Sequence, residues 1–202
     1  MNINNLFPTP VGFFKYNEGF TKKELEVIRG LEQRPNMGNM TSADNYVLKN
    51  SKLKNIASFV QVSIDQYFDE VYKPKEDIRL YVTQSWFNYT KPGQWHHKHE
   101  HPNSFVSGVM YINANADKDK IYFYKNKYEQ LKVTARDWNT WNSESWWFSI
   151  ATCDLILFPS SLTHMVETVL EDEERDERIS LSFNTFLKGY VGDEQSLTGL
   201  HL

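Results

Sequence analysis

Residues 96–102 read His-His-Lys-His-Glu-His-Pro, and four of the chain's six histidines fall inside this stretch. A neutral imidazole nitrogen offers a lone pair at physiological pH, which makes histidine the commonest protein ligand for transition metals. In an extended chain, side chains two apart point the same way. His97, His99 and His101 then share one face and Glu100 turns to the other. The apolar run SFVSGVMYI (Ser104 to Ile112) follows directly and reads as a strand, so the H-x-H pairs are two-point chelates entering a sheet. A polar histidine-rich loop also occurs merely solvated, so the chemistry depends on what else the chain supplies. It supplies His164, after an apolar strand and a turn, and Arg178, 14 residues on (178 − 164), at the head of RISLSFNTF.

The frame that must position these residues is bounded by composition. A chain of 202 residues is long enough to bury a core and is expected to form one domain, 1–202. Aromatic residues make up 15%, with 13 Phe and 11 Tyr, which suits a β-rich interior. A net charge of −4 with scattered basic residues argues against a nucleic-acid partner, which needs a clustered basic surface. The single cysteine, Cys153, rules out an intramolecular disulfide and fits a reducing cytoplasm; its setting at a strand entrance makes it a packing residue. The start has no signal-peptide pattern, and no apolar run approaches the length of a membrane span. A soluble, cytoplasmic protein is expected, with a homodimer as the assembly allowed for.

Helices come first and strands follow. Thr21 and Glu24 form a capping-box pattern for a helix whose apolar positions Leu25, Ile28 and Leu31 carry it to Arg34-Pro35. Asn36 to Asn50 reads as a loop near the site. Ser51 to Tyr72 carries one apolar stripe (Leu53, Ile56, Phe59, Val60, Ile64, Phe68, Val71) and predicts a helix on the back of a sheet. From Asp77 the pattern turns β: Ile78–Val82 with Gln84–Tyr89, then Ser104–Ile112, Ile121–Tyr124, a further segment at 129–134, Asp154–Pro159, Thr163–Val169 and Arg178–Leu187. Glu171 to Glu177 is a solvated acidic hairpin loop. Residues 138–147 hold four of the six tryptophans. Trp141 and Trp147 there are candidates either for substrate contact or for covering one end of a barrel. The fold class expected is mainly β with flanking helices, a double-stranded β-helix or jelly roll of cupin-like form.

In this setting the segments LFPTPVG, WFNYTKPGQWHHKHEHPNSFVSGVMYI, LILFPSSLTHMVE and RISLSFN, in that order across nearly the whole chain, resemble the 2-oxoglutarate- and Fe(II)-dependent oxygenases, more narrowly a family found in bacteria and marine phages. The resemblance implies a non-haem iron dioxygenase that hydroxylates an unidentified substrate while 2-oxoglutarate is converted to succinate and CO2. For a phage-encoded chain the location is the host cytoplasm. By motif position, His99, His101 and His164 would hold the metal. Arg178 would pair bidentately with the far carboxylate of the 2-oxoglutarate co-substrate, a task suited to the guanidinium fork. Ser180, same-facing in R-x-S, would add a hydroxyl, and Asn88 and Tyr111 are candidates for its other contacts.

The chain departs from the superfamily at one position. Most such enzymes use two histidines and one carboxylate, whereas His101 occupies the carboxylate position here, leaving the site one negative charge short. Two alternatives stay open: Glu100, rotated inward by a bulge at Pro102, or ligation through His97 with His99. Two rival functions also stand. A cupin-like three-histidine dioxygenase without 2-oxoglutarate would make Arg178 structural, paired with the 171–177 loop. A non-catalytic barrel binding module would use the aromatic surface and tolerate loss of His99 and His164.

Overall fold

Alternation along the long strands sorts the side chains into two cores. In the computed structural model of the protein, which describes residues 1–75, 77–125, 131, 133–171 and 176–202, the elements run β1 (Gly12–Lys15), α1 (Lys22–Arg29), β2 (Gln33–Pro35), β3 (Met40–Ser42), α2 (Lys54–Tyr72), β4 (Arg79–Thr90), β5 (His96–His99), β6 (Val106–Asn113), β7 (Lys120–Tyr124), β8 (Ser145–Ser149), β9 (Asp154–Pro159), β10 (His164–Val166), β11 (Arg178–Lys188), β12 (Tyr190–Val191) and β13 (Leu200–His201). A seven-stranded antiparallel sheet is ordered β1-β9-β6-β11-β4-β3-β2, a four-stranded sheet β5-β10-β7-β8, and β12 and β13 pair near the C-terminus.

One face of the large sheet packs on α2. Phe87 and Tyr89 of β4, Met110 and Ile112 of β6, Leu155 and Leu157 of β9, and Leu181 and Phe183 of β11 meet Ile56, Val60 and Ile64 of the helix. The residues between them point the other way. Val109, Tyr111, Ile156 and Phe158 join Ile121 and Phe123 of the small sheet in a second cluster. The polar set Trp86, Asn88, Ser180 and Ser182 stands on this same inner side, where it lines a cavity. The period-2 pattern of RISLSFN is thus the division between helix-facing core and site.

Three expectations need correction. The first helix does not reach Arg34-Pro35: it ends at Gly30, whose N–H donates to the Glu26 carbonyl, and Gln33–Pro35 becomes an edge strand paired with Met40–Ser42. The Thr21–Glu24 capping box does form, with the Glu24 carboxylate accepting from the Thr21 N–H at 2.8 Å. The 36–50 segment is more than a loop, since it contains β3 and a 3-10 turn at Val47–Lys49, with Thr41, Ser42 and Val47 buried. Its polar composition hid this because the buried hydroxyls are satisfied by backbone: Thr41 donates to the Phe87 carbonyl and Ser42 accepts from the Phe87 N–H. The strand expected at Thr163–Val169 is only three residues long. Half of the segment at 129–134 lies outside the described residues, and Leu131, Val133 and Thr134, which are described, form no strand.

Gly108 in β6 is held by packing. A side chain on its Cα would run into the buried rings and methyls of Phe183 and Leu157. Gly108→Ala is expected to destabilise the protein by about 1–3 kcal/mol, the usual cost of overpacking a filled core, read as a lower midpoint in urea denaturation.

Candidate metal centre

The ladder between β5 and β10 contains an irregularity that shapes the centre. His99 stands opposite His164 and His96 opposite Val166, so three steps along β5 match two along β10. The extra residue is a β-bulge, which turns two neighbouring side chains to the same side of the strand. His96 and His97 consequently stack, ring centroids 5.3 Å apart, and both stand beside His99, at 4.8 and 4.7 Å. Lys98 points away, its ammonium 3.8 Å above the Tyr124 ring. Strict alternation places 97, 99 and 101 together; the bulge adds 96.

His99, His101 and His164 are brought together so that one ring nitrogen from each lies within 4.8 Å of the other two. The Nε2 atoms of His99 and His101 are 3.1 Å apart, and those of His101 and His164 3.3 Å. Each ring's other nitrogen has an acceptor: His99 Nδ1 reaches the His97 carbonyl at 2.7 Å, His101 Nδ1 the Asn184 side-chain oxygen at 2.7 Å, and His164 Nδ1 the Leu162 carbonyl at 3.0 Å. An Nδ1–H donating to an acceptor fixes the tautomer and leaves a lone pair on Nε2. Three lone pairs therefore converge on one point, the donor set an imidazole-binding metal requires.

The electrostatics agree. Burial, reinforced by repulsion from neighbouring histidines, lowers His101 to about 4 and His164 to about 3. His99 is also lowered, chiefly by burial, against an opposing pull from the His97 carbonyl, and burial holds His96 well below the ordinary range. All four rings are neutral at pH 7 and available as ligands. Trp86 stacks on His101 (6.0 Å between centroids, 20° between planes) and Phe158 packs on His164 at 4.7 Å.

Glu100 does not turn inward. It is exposed and accepts a hydrogen bond from the Thr163 hydroxyl. The bulge lies at 96–99 and not at Pro102, which leaves the ordinary alternation intact at Glu100.

A narrow cavity between the two sheets adjoins the three rings. Asn88, Tyr111 and Ser180 line it, together with Ser182 and Trp86. Asn88 donates to the Ser182 hydroxyl at 2.9 Å, while its carbonyl oxygen and the Tyr111 hydroxyl are buried without partners. Burial pushes the Tyr111 phenol well above its ordinary value. Arg178 does not line the cavity. It is buried and paired with buried Asp119, Nη1 to Oδ1 3.2 Å, and makes longer contacts of 3.4 Å to the Glu167 carbonyl. Asp119 stands immediately before β7, and residues 172–175 of the 171–177 loop lie outside the described set. Trp141 and Trp146 line a wide groove with residues 3–11, whose inner wall includes Phe123 and Leu162 beside His164. Trp147 lies across β8 from that groove, with Lys120 4.2 Å above its ring.

Sequence reasoning missed Asn184, Ser182, Trp86 and Asp119. The same-face rule did offer the first two, since Arg178, Ser180, Ser182 and Asn184 are successive even positions of one strand.

The family model described as "Putative 2OG-Fe(II) oxygenase" matches residues 84–184, which run from within β4 into β11 and include every residue of the three-histidine centre. The chain belongs to that family. Similar solved structures include an oxidoreductase of the 2OG-Fe(II) oxygenase family from Burkholderia pseudomallei (13% identity, 87% of this chain and 83% of that chain covered, TM-score 0.59). HygX from Streptomyces hygroscopicus, solved with nickel, 2-oxoglutarate and hygromycin B, is similar at 10% identity, with 88% and 82% covered and a TM-score of 0.59. SnoK, a non-haem α-ketoglutarate-dependent carbocyclase from nogalamycin biosynthesis, is similar at 10% identity, with 88% and 79% covered and a TM-score of 0.57. No curated protein matches the chain. At these identities the structures establish the fold, the double-stranded β-helix. This 2OG-Fe(II) oxygenase-family protein is an oxidoreductase whose family cofactors are Fe(II) and 2-oxoglutarate. No helix among its described residues is long and apolar enough to cross a membrane.

The buried neutral histidines set a pH dependence. Their folded-state values lie below the unfolded value near 6.5, so the unfolded chain binds more protons and stability falls as pH drops through that interval. With metal chelated, unfolding by urea at pH 7 and pH 4.5 is expected to show a loss on the order of a few kcal/mol. A His101→Gln/His164→Gln variant should lose distinctly less over the same interval.

Proposed function

We propose that this oxygenase-family protein holds Fe(II) through His99, His101 and His164 and binds 2-oxoglutarate in the adjoining cavity, within a single domain spanning residues 1–202. The observation that carries this reading is the convergence of three Nε2 lone pairs whose opposite nitrogens are all pinned by acceptors. When bound, iron and 2-oxoglutarate supply the oxidising power that lets dioxygen attack a substrate C–H bond.

The chain's own groups do the rest. Asn184 holds the His101 ring in register, and through Ser107, which donates to the same Asn184 oxygen at 3.1 Å, ties it to β6. The orphaned Tyr111 hydroxyl needs an acceptor, which a carboxylate co-substrate brings. Tyr111 and Ser180 donate to carboxylate oxygens. Arg178 adds positive potential at that end of the cavity, where its charge already pulls down on the Tyr111 phenol, though it shares that charge with Asp119. A centre of three neutral imidazoles keeps the full charge of the ion, which favours a dianionic co-substrate. The groove lined by Trp141 and Trp146 is the route for the substrate, with the apolar wall of Phe158, Val109 and Ile121 excluding water at the centre. The cytoplasm, of the host for a phage-encoded chain, suits this free-cysteine protein and its Fe(II).

Anaerobic titration of Fe(II) and 2-oxoglutarate into metal-free protein tests the reading through the visible charge-transfer absorption of the chelate. The band is expected in the wild-type protein and absent in His99→Ala and His164→Ala. Arg178→Met should raise the Kd for 2-oxoglutarate at least about tenfold, equivalent to losing roughly 1.4 kcal/mol. Iron binding with no band would instead favour a three-histidine dioxygenase that does without 2-oxoglutarate. For Asn184→Ala, iron affinity should fall by roughly 10–100-fold, the usual effect of removing the group that orients a ligating histidine. The outcome that counts against the assignment is an iron affinity unchanged in that variant.

A further inference from the structure

The bulge in β5 produces a second convergence of imidazoles, which shares only His99 with the three-histidine centre. One ring nitrogen each of His96, His97 and His99 lie within 4.8 Å of one another. All three side chains are half-buried, whereas His164 on the inner side is 6% exposed, so this cluster is the shallower of the two. His97 Nδ1 is buried and has no hydrogen-bond partner. A buried nitrogen without a partner is unfavourable, and an ion accepting its lone pair removes that cost. The Asn39 amide nitrogen lies 3.4 Å from His96 Nδ1, a long contact to the ring's lone pair that an ion at the same nitrogen replaces.

We propose that His96, His97 and His99 form an outer seat for a divalent first-row transition metal, adjoining the inner seat of His99, His101 and His164. His99 belongs to both. Its Nδ1 is engaged by the His97 carbonyl at 2.7 Å, so its Nε2 is the nitrogen it gives, and it gives it to one ion at a time. The two seats are alternative positions for a single ion, and an ion moving from the half-buried seat to the deeper one keeps His99 throughout. Imidazole donors without a carboxylate select a borderline ion such as Fe(II), Co(II), Ni(II) or Zn(II) over magnesium or calcium.

Cobalt(II) titration read by its ligand-field absorption, with bound metal counted after desalting, tests this without reference to turnover. Four proteins are compared: wild type, His101→Ala/His164→Ala, His96→Ala/His97→Ala, and the variant carrying all four changes. Wild type is expected to bind one equivalent. The protein lacking His101 and His164 should still bind one equivalent, with affinity reduced by tenfold to a hundredfold. The fourfold variant should bind at least a further hundredfold more weakly. The His96/His97 variant should keep the inner seat, which separates failure of the outer seat from failure of the three-histidine centre. Thermal melts establish that each variant is folded, and the glutamine replacements at 101 and 164 substitute where alanine unfolds the chain. The proposal is overturned if the protein lacking His101 and His164 binds cobalt no better than the fourfold variant, or if wild type binds two equivalents.

Discussion

Imidazole rings packed nitrogen to nitrogen inside a protein repel one another once two of them are protonated, and each N–H turned inward would occupy the place a ligand lone pair must take. The solution here is an acceptor behind every ring: a carbonyl two residues back for His99, a carbonyl two residues back for His164, and the amide of Asn184 for His101. Two acceptors are backbone and follow from the local chain path. The third is a side chain on β11, the strand paired with both β4 and β6. The large sheet is therefore the template on which the small sheet's histidines are aligned, and α2 buttresses that template from behind.

Much of this was legible in the sequence, for identifiable reasons. Strand alternation in RISLSFN separates helix-facing Leu181 and Phe183 from site-facing Ser180 and Ser182, and the apolar stripe of α2 is as regular as its 19-residue length suggests. His99, His101 and His164 come together in space. What could not be read depends on long-range register. The bulge that brings His96 beside His97 exists only because β10 runs opposite β5, and nothing within residues 96–101 announces it. The edge pair of β2 and β3 hides in polar sequence, since buried hydroxyls there are paid for by backbone partners 45 or more residues away. Asp119 looks like one more turn residue until β7 is seen to begin beside Arg178.

The buried pairing of Arg178 with Asp119 tempers a simple picture of the arginine as a free anion receptor. Leaving either charge alone in that setting would be strongly unfavourable, because desolvation removes several kcal/mol that only a partner restores. Asp119 also accepts from the Asn115 N–H at 2.8 Å, which ties the pair to the turn before β7. The guanidinium is thereby fixed in position, and an anion approaching the cavity meets a pre-oriented but partly neutralised charge. Hydroxyl and amide donors from three strands then carry more of the recognition than they would beside an unpaired arginine.

The extra residue in β5 has a consequence for how such chains are compared. On either side of a bulge the in-and-out rhythm of a strand changes phase by one. Position-by-position matching of residues 96–101 with a relative whose strand runs straight will therefore set one chain's inward side chains against the other's outward ones on one side of the insertion. Histidine-for-histidine correspondence in that segment carries meaning only once the partner strand's pairing has been laid beside it, and the same motif letters can spell different coordination shells.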